Sequence, residues 1–356
     1  MDPSFLIPAP DAIPVHWFWL QLLLTITTFL HLVAMNILLG SGCIALAAPL
    51  VGWGGETDAL CRNIGAKLPF MMAFTINFGV APLLFLQVLY GQFFYTSSIL
   101  MAVYWLAIIG LLIAAYYVAY IFHLRYDQLG PGRSLLAGII VLLLTMVAFF
   151  FCNNISIMQL PESWLRYFAG GEGWQLNLAD PALVPRFLHF LASAAAVGGL
   201  AVAVYYERQR RKGNAAGESW ISYGCNWFTV ATLINFPIGF WFLGVLPSLA
   251  HNVETLAGKL FTVVLYGSVA AAVISVIHAQ RRRVYPAAGW ALGAVFFMTL
   301  AREFVRIAYL NPYFSLADLP VAPQYSPLFV FLIFLAGAGA LVWWMVKTVF
   351  FAQEVK

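Results

Sequence analysis

Nine apolar stretches occupy most of the chain, and each is long enough to cross a bilayer core, which takes roughly 20 helical residues. They run at roughly 17-50, 66-92, 99-124, 134-152, 186-206, 220-248, 260-280, 286-310 and 326-349. A soluble fold could not hide them. Of the 356 residues 63% are hydrophobic and only 9% are charged, so too little polar surface is left to face water. In hydrocarbon, backbone polar groups are satisfied within a helix or in a closed barrel. A barrel needs short segments of alternating hydrophobicity, and none occur. The expectation is an all-α, polytopic membrane protein of about nine transmembrane helices, forming a single transmembrane domain over residues 1-356. Pro82, Pro237 and Pro247 lie inside or near the ends of spans, where kinks are expected.

Lys and Arg set the orientation. With the N-terminus outside and the C-terminus in the cytoplasm, the inner connections hold thirteen, among them Arg62, Lys67, Arg125, Arg133, Arg208, Lys212, Arg281, Arg283 and Lys356. The outer ones hold three, Arg166, Arg186 and Lys259, while Arg302 and Arg306 fall inside a span. Miscounting one helix would scramble that bias. The net charge of +4 therefore reads as an orientation signal for a bacterial inner membrane and not as affinity for nucleic acid. The N-terminus carries acids and its first apolar span is far longer than a signal peptide's, so a retained first helix is expected. One connection is long, 153-185 on the outer side, and its Trp164, Tyr167, Phe168 and Trp174 suit a segment at the membrane interface. Cys43, Cys61, Cys152 and Cys225 are scattered, with no C-x-x-C-H for covalent haem and no C-x-x-C pair.

Of fourteen acidic residues only Glu303 falls at membrane depth, flanked by Arg302 and Arg306. A buried carboxylate must face protein, a cation or a cofactor. Arg306, three residues on, suits an ion pair on one helix face. Two readings stay open: a structural Arg-Glu-Arg cluster, or a cofactor site in which Glu ligates a metal and Arg neutralises an anionic group. His16 and His251 lie near the outer boundary and His123 and His278 near the inner one, where interfacial hydrogen bonding accounts for them. His31 and His189 lie within spans, in FLHLVAMN and RFLHFLAS. Each could bond a neighbouring helix, or its neutral imidazole could ligate haem iron. Residues alone reach only a buried redox cofactor as one alternative.

In these same segments the chain resembles subunit I of the cytochrome bd quinol oxidases. PALVPRFLHFLAS is similar to that family's N-P-x-x-x-x-(K/R)-F-x-H-x-x-A-S stretch, with Pro181 eight residues before His189. WLQLLLTITTFLHLVAMNILLG is similar to the first helix, and NFGVAPLLFLQVLYG, from Asn77 to Gly91, to the second. MTLAREFVRIAY resembles A-E-F-G-R-Q-P-W, and Asn153 or Asn154, then Met158, Gln159 and Pro161, resemble the outer end of the fourth helix. The resemblance implies haem of b-type, d-type or both, up to three per chain. It makes His189 the ligand of the low-spin haem, His31 and Glu303 ligands of the high-spin irons, and Arg306 the companion of Glu303.

The departures shift the function expected. The family's long quinol-binding loop between the sixth and seventh helices is here about ten residues, Ala250 to Lys259. No acid lies between Asp58 and Asp127, so the functional acids of the third helix are missing, and a family Glu on the second is Gln87. FTVVLYG on the seventh holds neither the family's haem-ligating Met nor its Arg, and Ile307-Ala308-Tyr309 stands for Q-P-W. The expectation is a haem-binding electron-transfer subunit fed by a donor other than loop-bound quinol: a periplasmic cytochrome c or a partner subunit of a respiratory complex. Whether it reduces O2 stays open. The alternative is a non-catalytic anchor or scaffold that has lost some or all haems. A transporter should show an inverted repeat or paired broken helices, and neither is found.

Overall fold

The computed structural model describes residues 3-52, 55-170, 172-213, 217-248 and 252-351. Among them nine helices are long and apolar enough to cross a bilayer, and no named strand occurs. They are α1 (Trp17–Val51), α2 (Gly55–Leu100), α3 (Ala102–Leu124), α4 (Gly132–Gln159), α5 (Leu183–Arg211), α6 (Glu218–Gly244), α7 (Leu256–Gln280), α8 (Val284–Leu310) and α9 (Tyr325–Phe351). The chain is an all-α, multi-pass membrane protein. His251 and Lys356 lie outside the described residues.

The largest differences from the boundaries read in the sequence fall on the second and fourth spans. The second span grows to 46 residues, because Glu56 and Asp58 in its first turn suit the positive end of a helix. At its other end nothing between Phe93 and Ser98 stops it. The interruption falls at Tyr90 (φ −133°, ψ 30°), not at Pro82, and the turn into α3 is the single residue Met101. The fourth span runs on to Gln159, since Asn153, Asn154 and Ser156 find partners inside the protein, and Pro161 follows as the stop. Trp164 is not an interfacial aromatic. It is 2% exposed, its indole N–H donates to the Ile157 carbonyl at 2.8 Å, and its ring lies 6.2 Å from that of Phe93. Tyr167, Phe168 and Trp174 are exposed, as an interfacial segment requires. Pro237 lies inside α6, and Pro247 lies beyond its end.

Connections sort onto two faces, and contacts between them check the count of spans. On one face the N-terminal segment is strapped to the link before α9: Ile13 N–H donates to the Pro320 carbonyl at 2.8 Å, and Ala322 N–H to that of Ile13 at 3.0 Å. Gln175 N–H on this face donates to the Leu100 carbonyl at 3.2 Å. On the other, Arg62 pairs with Asp127, Arg133 with Asp58, and Ser219 donates to Glu56 at 3.0 Å. Below, these are the N-terminal face and the basic face. An odd error in span number would have put partners on opposite sides.

Small residues bring three helices into backbone contact. A Cβ on Gly40 of α1 would lie 1.9 Å from the Ala194 carbonyl oxygen of α5, and one on Gly198 would lie 2.3 Å from Gly40. About 100° around α5, a Cβ on Gly224 of α6 would lie 2.4 Å from the Gly199 oxygen. Lipid is as apolar as a side chain, so such close packing, and not hydrophobicity, joins helices in a membrane. α9 instead meets the bundle through Leu328 and through Phe331, whose ring is 6.0 Å from that of Phe85.

Candidate functional site

Because α5 is held against α1 and α6, one stripe of it is fixed toward a cavity of about 730 Å³ between α5 and α6 on one side and α7 and α8 on the other. Arg186, His189, Phe190, Ser193, Ala196 and Val197 repeat at helical spacing and line it. That stripe follows about 17 Å of helix at 1.5 Å per residue, so the cavity is elongated along α5. Arg186 sits in the first turn of α5, near the N-terminal face, while Asn36, Thr232 and Ser268 line the cavity deeper in. Toward the basic face the walls are Phe228, Val269, Ala272 and Ala291.

His189 is brought to this cavity with its ring Nδ1 buried and lacking a hydrogen-bond partner. Gly239 of α6 packs beside the ring, where a Cβ would reach contact distance, 3.4 Å from Nδ1. Beside it Asn235 donates to Ser193 Oγ at 2.9 Å and keeps its own carbonyl oxygen unpartnered. Arg186 is 5% exposed, donates from Nη2 to Gln159 Oε1 at 3.1 Å and stands 3.9 Å from Asp180. Its Nη1 has no hydrogen bond. Asp180 is held in turn by Ser156 Oγ at 2.6 Å, so α4, the long connection and α5 form one buried polar network.

Glu303 and Arg306 form the ion pair that their spacing predicts, but elsewhere. Their side chains are 7% and 3% exposed, and Gln21 of α1 donates to the same Glu303 oxygen, Oε2, at 2.8 Å. The Arg306 guanidinium lies 5.0 Å from the Tyr90 ring centroid, at the interruption of α2. Arg302 does not complete an Arg-Glu-Arg cluster. At about 100° per residue Glu303 projects that far around α8 from Arg302, and Arg302 lines the cavity while Glu303 faces α1. Glu303 Oε1 has no partner.

His31 also stands apart, between α1 and α2. Its Nδ1 lies 3.0 Å from the Thr75 carbonyl oxygen. A carbonyl can only accept, so Nδ1 carries the proton and Nε2 keeps a lone pair, the arrangement in which histidines ligate metals. The ring packs on Gly79, where a Cβ would come within 2.9 Å of it. The structure thus brings His189, Arg186 and Arg302 together and leaves His31 and the Glu303–Arg306 pair in two other places. Among the described residues no three His, Cys, Asp or Glu side chains gather to hold a metal ion by themselves.

Sequence reasoning did not find Gln21, Tyr90, Asn235 or the turning of Arg302 into the cavity. Only the last had a signal, the different helical phase of residues 302 and 303. In chemical terms the cavity offers largely apolar walls, an imidazole and two arginines to whatever it holds. Compared with known proteins, the chain matches no family model and no curated protein.

Proposed function

We propose that the chain is the haem-carrying subunit of a membrane electron-transfer complex, with a haem ligated by His189 in the cavity among α5, α6, α7 and α8. The observation that carries this reading is the unpartnered His189 Nδ1 on the wall of a 730 Å³ space that Arg186 and Arg302 also line. That volume is within the range of small-molecule and cofactor sites, roughly 300–1,000 Å³. A bound haem would supply one-electron transfer. His189 holds it through a ring whose position Gly239 and the α5 stripe determine. The apolar walls would keep water away, and Arg186 and Arg302 would offer cations to its propionates.

The resemblance to cytochrome bd subunit I supports the same reading and extends it. His31 Nε2 and Glu303 Oε1 each keep a ligating atom out of hydrogen bonds, which suits their assignment to further irons. With the N-terminal face outside the bacterial inner membrane, as the Lys and Arg bias has it, His189 lies toward the periplasm, where a cytochrome c or partner subunit would deliver electrons. One observation favours the second reading, an anchor or scaffold without haem: Arg306 and Gln21 account for Glu303 with no iron at all.

A reduced-minus-oxidised spectrum of purified protein separates the two. His189→Ala is then the direct test, because it removes the proposed ligand. The folded variant is expected to lose one haem. Unchanged haem content and spectrum would overturn the assignment.

A further inference from the structure

The charges around the cavity do not balance. Arg186 has Asp180 at 3.9 Å, and Arg306 has Glu303. Arg302, half-buried on the same cavity wall, has neither an ion pair nor a hydrogen bond among the described residues. An arginine cannot discharge itself by losing its proton, and an unpaired cation at membrane depth is costly. Arg186 lines the same space, 5% exposed, and its Nη1 makes no hydrogen bond but stands 3.9 Å from Asp180.

We infer that Arg302 is the anchoring cation for a carboxylate of the group bound in this cavity. On the haem reading above, on which this rests, that carboxylate is a propionate, and Arg186, whose Nη1 stands 3.9 Å from Asp180 without a hydrogen bond, lies on the same wall for the second. Arg302 on α8 and Arg186 on α5 would thus offer cations to the two propionates, while Val269, Ala272 and Ala291 supply apolar wall. Arg302 is a positioning residue. It sets which way round the haem sits and how firmly it is held, and takes no part in ligating iron.

The test uses full-length wild type, Arg302→Gln and Arg302→Lys, each prepared haem-free and titrated in detergent with haem or with its dimethyl ester, in which both propionates are uncharged. Wild type is expected to bind haem more tightly than the ester. Arg302→Gln should weaken haem roughly 10- to 100-fold, the scale of one charge-assisted hydrogen bond, while leaving the ester unaffected. Arg302→Lys should recover part of the loss. The haem-free Arg302→Gln protein should also melt above haem-free wild type, because an uncompensated cation has gone. Equal haem affinity in wild type and Arg302→Gln, or an equal loss for haem and ester, overturns the anchoring role while leaving the function standing. A wild type that takes up neither compound overturns the proposed function itself, and this assignment with it.

Discussion

Replacing Glu303 by leucine should cost stability through Arg306, not through Glu303 itself. The two side chains are 3% and 7% exposed, so the guanidinium left behind has little water to turn to. Breaking a buried pair from one side costs about 3–5 kcal/mol, and the lost acceptor for Gln21 adds about 1 kcal/mol. In a chain of this size that lowers the melting temperature by on the order of 5–10 °C. Glu303→Gln keeps an oxygen for both donors and removes only the charge, so it should cost about half as much. Joint replacement, Glu303→Leu with Arg306→Met, should recover most of the loss, because no unpaired charge remains. Thermal unfolding and haem content are to be read on the same samples. On the proposed function, haem bound at His189 should be unaffected, since Glu303 faces α1 and not the cavity. A Glu303→Leu protein within about 1 kcal/mol of wild type, or a double variant no better than the single, would refute the ion-pair argument. A folded Glu303→Gln protein that loses a haem band would make Glu303 an iron ligand.

Two further outcomes follow from the packing and the charge bias. Gly40→Val should abolish monodisperse protein in size-exclusion chromatography, because its Cβ would meet backbone at 1.9 Å and neither helix can yield. Gly110→Ala, with nothing within 4 Å of the added carbon, should be neutral or stabilise by up to about 1 kcal/mol; the reverse order would show that α1 and α5 are not in backbone contact. Reporters fused after Lys212 or Arg283 should read as cytoplasmic and one placed in 160-180 as periplasmic, and a reversed signal at any of them would break the nine-span topology.

The number of spans, their helical state and the sorting of connections onto two faces were legible in the sequence. All three follow from one-dimensional properties: the length of an apolar run against a bilayer's thickness, and the placing of Lys and Arg between runs. The Glu303–Arg306 pair was legible for the same kind of reason, since three residues on a helix decide adjacency without any neighbour. Helix ends were less so. Asn153, Asn154 and Ser156 have the composition of a loop, and only the partners supplied by Ser97 and Ser98 of α2 and by Gln175, Asn177 and Asp180 let α4 continue through them. Trp164 likewise looks interfacial until the ring of Phe93 and the carbonyl of Ile157 are in place. The site was decided by tertiary structure almost entirely. His31 and His189 are alike in sequence, each a lone histidine in an apolar span. The contact of Gly40 with Ala194 and Gly198 sets how α1 and α5 are rotated, and that rotation turns His189 into a cavity and His31 onto Thr75 and Gly79. Arg302 and Glu303, neighbours in the chain, part by about 100° around α8, so one faces an open space and the other a glutamine on α1. A linear pattern carries the phase of a residue on its own helix, but what lies opposite that phase depends on which backbones pack closely enough to exclude everything else.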